Sequence, residues 1–178
     1  MAHKLIRFLE RGNQMRKQKG FSLIELLIVV AIILIIAAIA IPNLLRSRIA
    51  ANEASAVGSI RTLNTAEVTY ASTYPDQGFT CTLANMGPPA GTAAATSTTA
   101  GLVDAVLASG TKSGYTFNLT GCTVAGSTTI NVTYQSTGVP TAAGQTGQRA
   151  FCSDQSGVIK FDAAGSASGC LTGTKALQ

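Results

Sequence analysis

Histidine is almost missing from this 178-residue chain: the one example is His3. A Ser-His-Asp or Cys-His constellation, or a zinc site built on imidazoles, is therefore excluded for nearly the whole length. Charge is scarce as well, at 12% of residues, where soluble domains carry about a quarter. No catalytic pair of carboxylates stands out. The four cysteines contain no Cys-x-x-Cys, which argues against zinc. Cations thin out after Arg61 to Lys112, Arg149, Lys160 and Lys175, too sparse for the basic stripe that nucleic acid requires. Asp154 and Asp162, eight residues apart, make a poor calcium motif. These absences leave no catalytic residues, no metal, no cofactor and no nucleic-acid partner, and the chain reads as a non-enzyme.

What the sequence does have is a long apolar run. From Phe21 to Ile41 only Ser22 and Glu25 are polar, and at about 1.5 Å per residue such a helix covers a hydrocarbon core of about 30 Å. A membrane-spanning helix is expected. One carboxylate inside it costs roughly 2.5 to 3.5 kcal/mol, so Glu25 needs a partner or a function. The segment supplies no cation. Arg16-Lys17-Gln18-Lys19 lies just before Gly20, which by the positive-inside rule keeps the N-terminus in the cytoplasm and sends the chain after Pro42 outward. An ordinary secretory signal ends its apolar core at a small-residue cleavage site; here the small residue, Gly20, precedes the core.

Lys19-Gly20-Phe21-Ser22-Leu23-Ile24-Glu25-Leu26-Leu27-Ile28-Val29-Val30 with the later Pro42 resembles the type IV pilin and pseudopilin family, densely over about positions 16 to 48 and only in architecture beyond. The resemblance implies cleavage by a prepilin peptidase after Gly20 and N-methylation of the new terminus, Phe21. It also implies that Glu25 pairs with the N-terminal amine of a neighbouring subunit during assembly, which supplies the missing cation. A charge pair out of water is much stronger than one at a surface, so subunit addition relieves a penalty the isolated subunit carries.

Residues 1–20 are then a leader, long for this family. Met15 to Gly20 is an ordinary leader by itself, so Met15 is a candidate start. The leader holds six basic residues against Glu10, or +5, and the remainder holds seven of each sign, so the whole-chain charge of +5 belongs to the leader. The pI near 9.2 therefore says nothing about nucleic acid.

Beyond the span at 21–42, with Pro42 expected to kink the helix, apolar residues resume at helical spacing: Leu45, Ile49, Ala56, Ile60, Leu63, Ala66, Tyr70 and Tyr74. Arg48, Asn52, Ser55, Ser59, Thr62, Thr65 and Thr69 take the other side. This predicts an amphipathic helix over 43–74, stopped by Tyr74-Pro75 and Gly78, with its stripe against a sheet. Residues 75–112 read as a variable, loop-like and exposed connection, with a short helix over Leu102 to Ala108. Residues 113–178 read as an antiparallel sheet of about four strands and a tied-down tail. Its strand signals are Tyr115 to Thr120, Ile130 to Tyr134, Arg149 to Ser153 and Gly157 to Phe161. The fold class is α+β, the pilin fold. Asn118-Leu119-Thr120 and Asn131-Val132-Thr133 match the glycosylation sequon but fall in expected strands.

Cys81, Cys122, Cys152 and Cys170 suit disulfides in an oxidising compartment. Four cysteines allow three pairings, and the sequence does not choose among them. The expected topology favours Cys81 with Cys122 and Cys152 with Cys170.

The function the resemblance implies is a structural subunit of a type IV pilus, a homo-oligomeric helical filament. Prepilin peptidase, an inner-membrane assembly platform with its ATPase, and membrane lipid before assembly are the implied partners. The location is the inner membrane first, then an extracellular pilus or a periplasmic pseudopilus. Alternatives are a type II secretion pseudopilin and, from another class, a DNA-uptake or adhesion pilin.

Overall fold

A computed structural model describes residues 20–177. The basic cluster at 16–19, the candidate start Met15 and His3 lie outside the described residues. The chain divides into two compact units, Met1–Ile41 and Pro42–Gln178.

In the first unit the described residues form helix α1, Leu23–Thr73, as far as Ile41. Residues 20–41 include no buried side chain. This stretch is long and apolar enough to cross a membrane. A helix apolar on every side has no polar face to turn to water, so its environment has to be lipid or other helices.

In the second unit, Pro42 lies inside α1, where its ring nitrogen has no proton to donate to the carbonyl four residues back. Helical order continues to Thr73 because the unit's core forms on this stretch. Ala56, Ile60, Leu63, Ala66 and Tyr70 are buried. The buried stripe is broader than apolar periodicity indicates, because it also takes in Glu53, Ser59 and Glu67. Leu45, expected on it, is exposed.

The sheet is a five-stranded meander: β1 Thr111–Lys112, β2 Tyr115–Thr120, β3 Gln135–Pro140, β4 Ala150–Asp154 and β5 Lys160–Asp162. Neighbours pair antiparallel in that order. The alternation in β2 buries Tyr115, Phe117 and Leu119, as period-2 spacing requires. The strand expected over Ile130 to Tyr134 lies instead at Gln135–Pro140. Asn131 exchanges hydrogen bonds with Gln77 and Phe79 and Val132 donates to Thr123, so this segment binds the connection rather than joining the ladder. The true β3 has little apolar signal because it lies under aromatic rings. Gly138 is registered between Phe117 and Phe151, and a β-carbon there would come 2.9 Å from the Phe117 ring and 3.7 Å from Ile60.

The connection after α1 is part of the core and not only a surface loop. Leu83 and Met86 from a 3-10 turn at Leu83–Met86, with Val103 and with Leu107 of α2 (Ala105–Ala108), join the cluster around Phe117. Disulfides join Cys81 to Cys122 and Cys152 to Cys170. The first ties the connection to the end of β2; the second ties α3, Ala167–Thr172, to β4. Each contributes about 3 to 4 kcal/mol in the loop-entropy picture.

Polar ties fix the helix on the sheet. Glu53 Oε1 accepts from the amides of Gln148 and Arg149, both at 3.0 Å. Its Oε2 accepts from Arg149 Nε at 2.9 Å and Nη2 at 2.7 Å. The guanidinium lies 5.4 Å from the ring of Phe151 and 5.5 Å from that of Phe161. Burial pushes the Glu53 carboxyl up, but Arg149 and the two amides together hold it below its usual 4.5. A lowered folded-state value means that this clamp stabilises above about pH 4.5 and is lost as pH falls through the lowered value. Glu53→Ala strips acceptors from two amides and a guanidinium and should cost the head about 2 to 3 kcal/mol. Glu53→Gln, which still accepts, should cost less. Thermal unfolding followed by circular dichroism at pH 7 checks both, and equal stability of wild type and Glu53→Ala would contradict the clamp.

Candidate functional site

The N-terminal end of α1 is the chemically singular place in the first unit. Gly20 and Phe21 precede the helix in extended or irregular backbone, and the Phe21 side chain is 82% exposed. The peptide bond after Gly20 therefore joins two exposed residues.

Ser22 starts the helix: its carbonyl accepts from Leu26 N at 3.2 Å. Its own amide donates to Glu25 Oε2 at 2.9 Å. Glu25 is in the first turn and closes the side-chain half of a capping box, satisfying one of the amides a helix start leaves unpaired. The acidic group also lies at the positive end of the helix dipole. Ser22-Leu23-Ile24-Glu25 is the Ser-x-x-Glu pattern itself, a signal the apolar run around it obscures. The cap occupies one oxygen. Oε1 accepts no hydrogen bond among the described residues, and residues 20–41 contain no cation. Leu23, Leu26, Leu27 and Val30 line an open apolar groove on the side of the helix away from Glu25, and all four are exposed.

Such a site can bind one cation delivered from outside the segment, in surroundings where the attraction is far larger than in water. Among the described residues it holds no acid-base pair. Prokaryotic N-terminal methylation motif is the description of the family that matches residues 15–41. The chain is 67% identical over 39 residues to the major component of the type IV wide pilus of Thermus thermophilus, covering 22% of this chain and 30% of that protein. It is 45% identical over 56 residues to the type IV major pilin protein of Myxococcus xanthus, covering 32% and 26%. It is 43% identical over 72 residues to the type II secretion system core protein G of Vibrio cholerae, covering 38% and 49%. The N-terminal part of the chain is similar to that of type IV pilins and of a type II secretion core protein. The matched stretches span between about a quarter and a half of those relatives. No solved structure matches this chain significantly.

The other sequence candidates fall elsewhere in this α+β fold. Asp154 accepts from the Ser156 amide and faces Lys160. Asp162 accepts from the Ser166 amide ahead of α3. Both aspartates thus serve local turns and do not converge. Asn131 of the second sequon is bonded to the Phe79 carbonyl, while Asn118 is exposed on β2. Tyr70 and Tyr74 pack ring to ring at 4.9 Å. The residues that periodicity missed are Glu53 and Glu67. Their signal is position: each falls on the stripe that Ala56, Ile60, Leu63 and Ala66 define.

Proposed function

We propose that the chain is a structural subunit of a type IV pilus, a prepilin that polymerises through α1. The observation that carries this reading is an uncovered apolar helix with a single carboxylate at its start and no cation of its own. Residues 1–20 act as the leader, prepilin peptidase cuts after Gly20, and the Phe21 amine so produced is N-methylated. That amine, carried by an incoming subunit, is the cation for Glu25 of its neighbour. Residues 21–42 serve as the membrane and polymerisation segment, 43–74 as the head's helix, 75–112 as the connection and 113–178 as the sheet and tail. The subunit waits in the inner membrane with its N-terminus in the cytoplasm. It leaves through an assembly platform and ATPase for a filament of copies of itself outside the cell.

A second feature supports burial of α1 among copies. On the face of the helix that the sheet leaves open, Thr62, Thr65, Thr69, Ser72 and Thr73 each donate their hydroxyl to the carbonyl four residues back, at 2.8 to 3.1 Å. A hydroxyl already bonded to its own helix needs no outside acceptor, so this face can meet another helix without stranding a donor.

The type II secretion reading rests on the same polymerisation physics and draws support from the likeness to core protein G. Surface location separates the two. DNA uptake draws the least support: Lys112, Arg149 and Lys160 pair with Asp104, Glu53 and Asp154, so three of the four cations after Arg61 are already engaged.

Two outcomes are expected. Mass spectrometry of purified filaments should find a mature chain starting at N-methylated Phe21; a filament subunit that retains residue 1 or 15 would contradict the processing. Glu25→Leu should be cut after Gly20 and keep a folded, disulfide-bonded head, yet remain in the membrane fraction when filaments are sheared from the surface. Glu25→Asp, one methylene shorter, should assemble partially. A normal sheared yield from Glu25→Leu would make the carboxylate a bystander, and filaments confined to the periplasm would favour the secretion reading.

A further inference from the structure

After α1 ends, the chain turns back on itself. Tyr74 O accepts from the amides of Gln77 and Gly78, and Gly78 takes φ +70° with the Asn131 carbonyl where a β-carbon would stand. This left-handed, crowded position admits glycine and little else. The returning segment crosses α1 at Glu67. There the Thr80 amide donates to Glu67 Oε2 at 2.9 Å. Glu67 is fully buried, and its other oxygen, Oε1, has no hydrogen-bond partner among the described residues.

The groups around Glu67 cannot neutralise it. From its own helix the Tyr70 phenol faces it, and that hydroxyl donates to the Ser97 carbonyl at 2.6 Å. From the segment before β3 the Tyr134 phenol faces it, and that hydroxyl donates to Asn64 Oδ1 at 3.2 Å. The segment across it offers the Thr80 amide alone. Neither a cation nor another acid acts on this carboxyl; burial raises it and the Thr80 amide opposes, leaving it at about 7 against an ordinary 4.5. Glu53, about four turns nearer the start of the helix on the same stripe, shows the contrast, since a buried glutamate there has a guanidinium.

We propose that Glu67 is a proton-operated latch that holds the start of the connection, around Thr80, on α1. With its proton, Glu67 is neutral and fits the dry site. Without it, a bare carboxylate with one unserved oxygen demands water, and water reaches it only if the segment at 79–82 lifts from the helix. The disulfide from Cys81 to Cys122 limits that motion, so the head stays folded and the change is local.

The sign follows from the raised value. A carboxyl that is harder to ionise closed than open favours the closed form fully below the open-state value of 4.5. That advantage drains as pH rises toward about 7 and then levels off. With those two values the opening constant should rise roughly 70-fold between pH 5 and pH 8.

The test is hydrogen exchange on the full chain in detergent, read for the Thr80 amide, corrected for intrinsic exchange and referenced to β2. Wild type should lose protection at Thr80 by tens of fold between pH 5 and pH 8, and Glu67→Gln, neutral at every pH, should show no such loss. A flat wild-type profile, or the same loss in Glu67→Gln, would overturn the latch. Should Glu67→Gln fail to fold, carbon-13 NMR of the wild-type glutamate carboxyls decides alone. A carboxyl titrating near 7 supports the latch, and none above 5.5 overturns it.

Discussion

A carboxylate in an apolar helix with no counter-charge of its own is the constraint on which the first unit depends. Every neighbour of Glu25 between Phe21 and Ile41 apart from Ser22 is apolar, and the cap from the Ser22 amide serves one oxygen only. A neutral amide lessens the penalty of such a charge but does not cancel it. In the proposed filament the balance comes from a second chain, through a positive terminus that exists only after Gly20 is cut away. Processing and assembly are then linked by one electrostatic requirement, and the cap keeps the carboxylate oriented until the partner arrives.

The second unit places two more glutamates on α1 and treats them differently. Glu53 has Arg149 and two amides. Glu67 has one amide. Their stability contributions run in opposite directions with pH, the first failing in acid and the second weakening toward neutrality. The head is therefore gripped by α1 most evenly in mildly acidic conditions. The disulfides are indifferent to this range, which is why a local change at Thr80 need not spread.

Much of α1 and β2 could be read from the chain, because apolar residues repeat at 3.6 in the later part of α1 and at 2 in β2, whereas β4 shows as a short run buried on both faces. β3 could not. Gly138 fits beneath Phe117 and Phe151, while Thr137 is buried on the opposite face beside Cys152, and smallness leaves no apolar signature; Ile130 and Val132 carry that signature, yet Ile130 packs by Gly78 of the connection and Val132 is exposed. The buried Leu83, Met86, Val103 and Leu107 were hidden in a tract whose composition looks like loop. Helix α3 is six residues held by the Ser166 cap and a disulfide rather than by propensity. At the site, Gly20, Phe21 and Glu25 stand out through an arrangement few unrelated sequences share, while the cap by Ser22 and the burial of Glu67 depend on what lies opposite in space.

The central claim is an ion pair between copies, and solid-state NMR on filaments tests it directly. Filaments assembled from two separately labelled pools, one with nitrogen-15 at Phe21 and the other with carbon-13 at the Glu25 carboxyl, report only contacts between subunits. The account predicts a through-space coupling that places the Phe21 amine within about 4 Å of a neighbour's Glu25 carboxylate. Filaments of normal structure with no such coupling would contradict it.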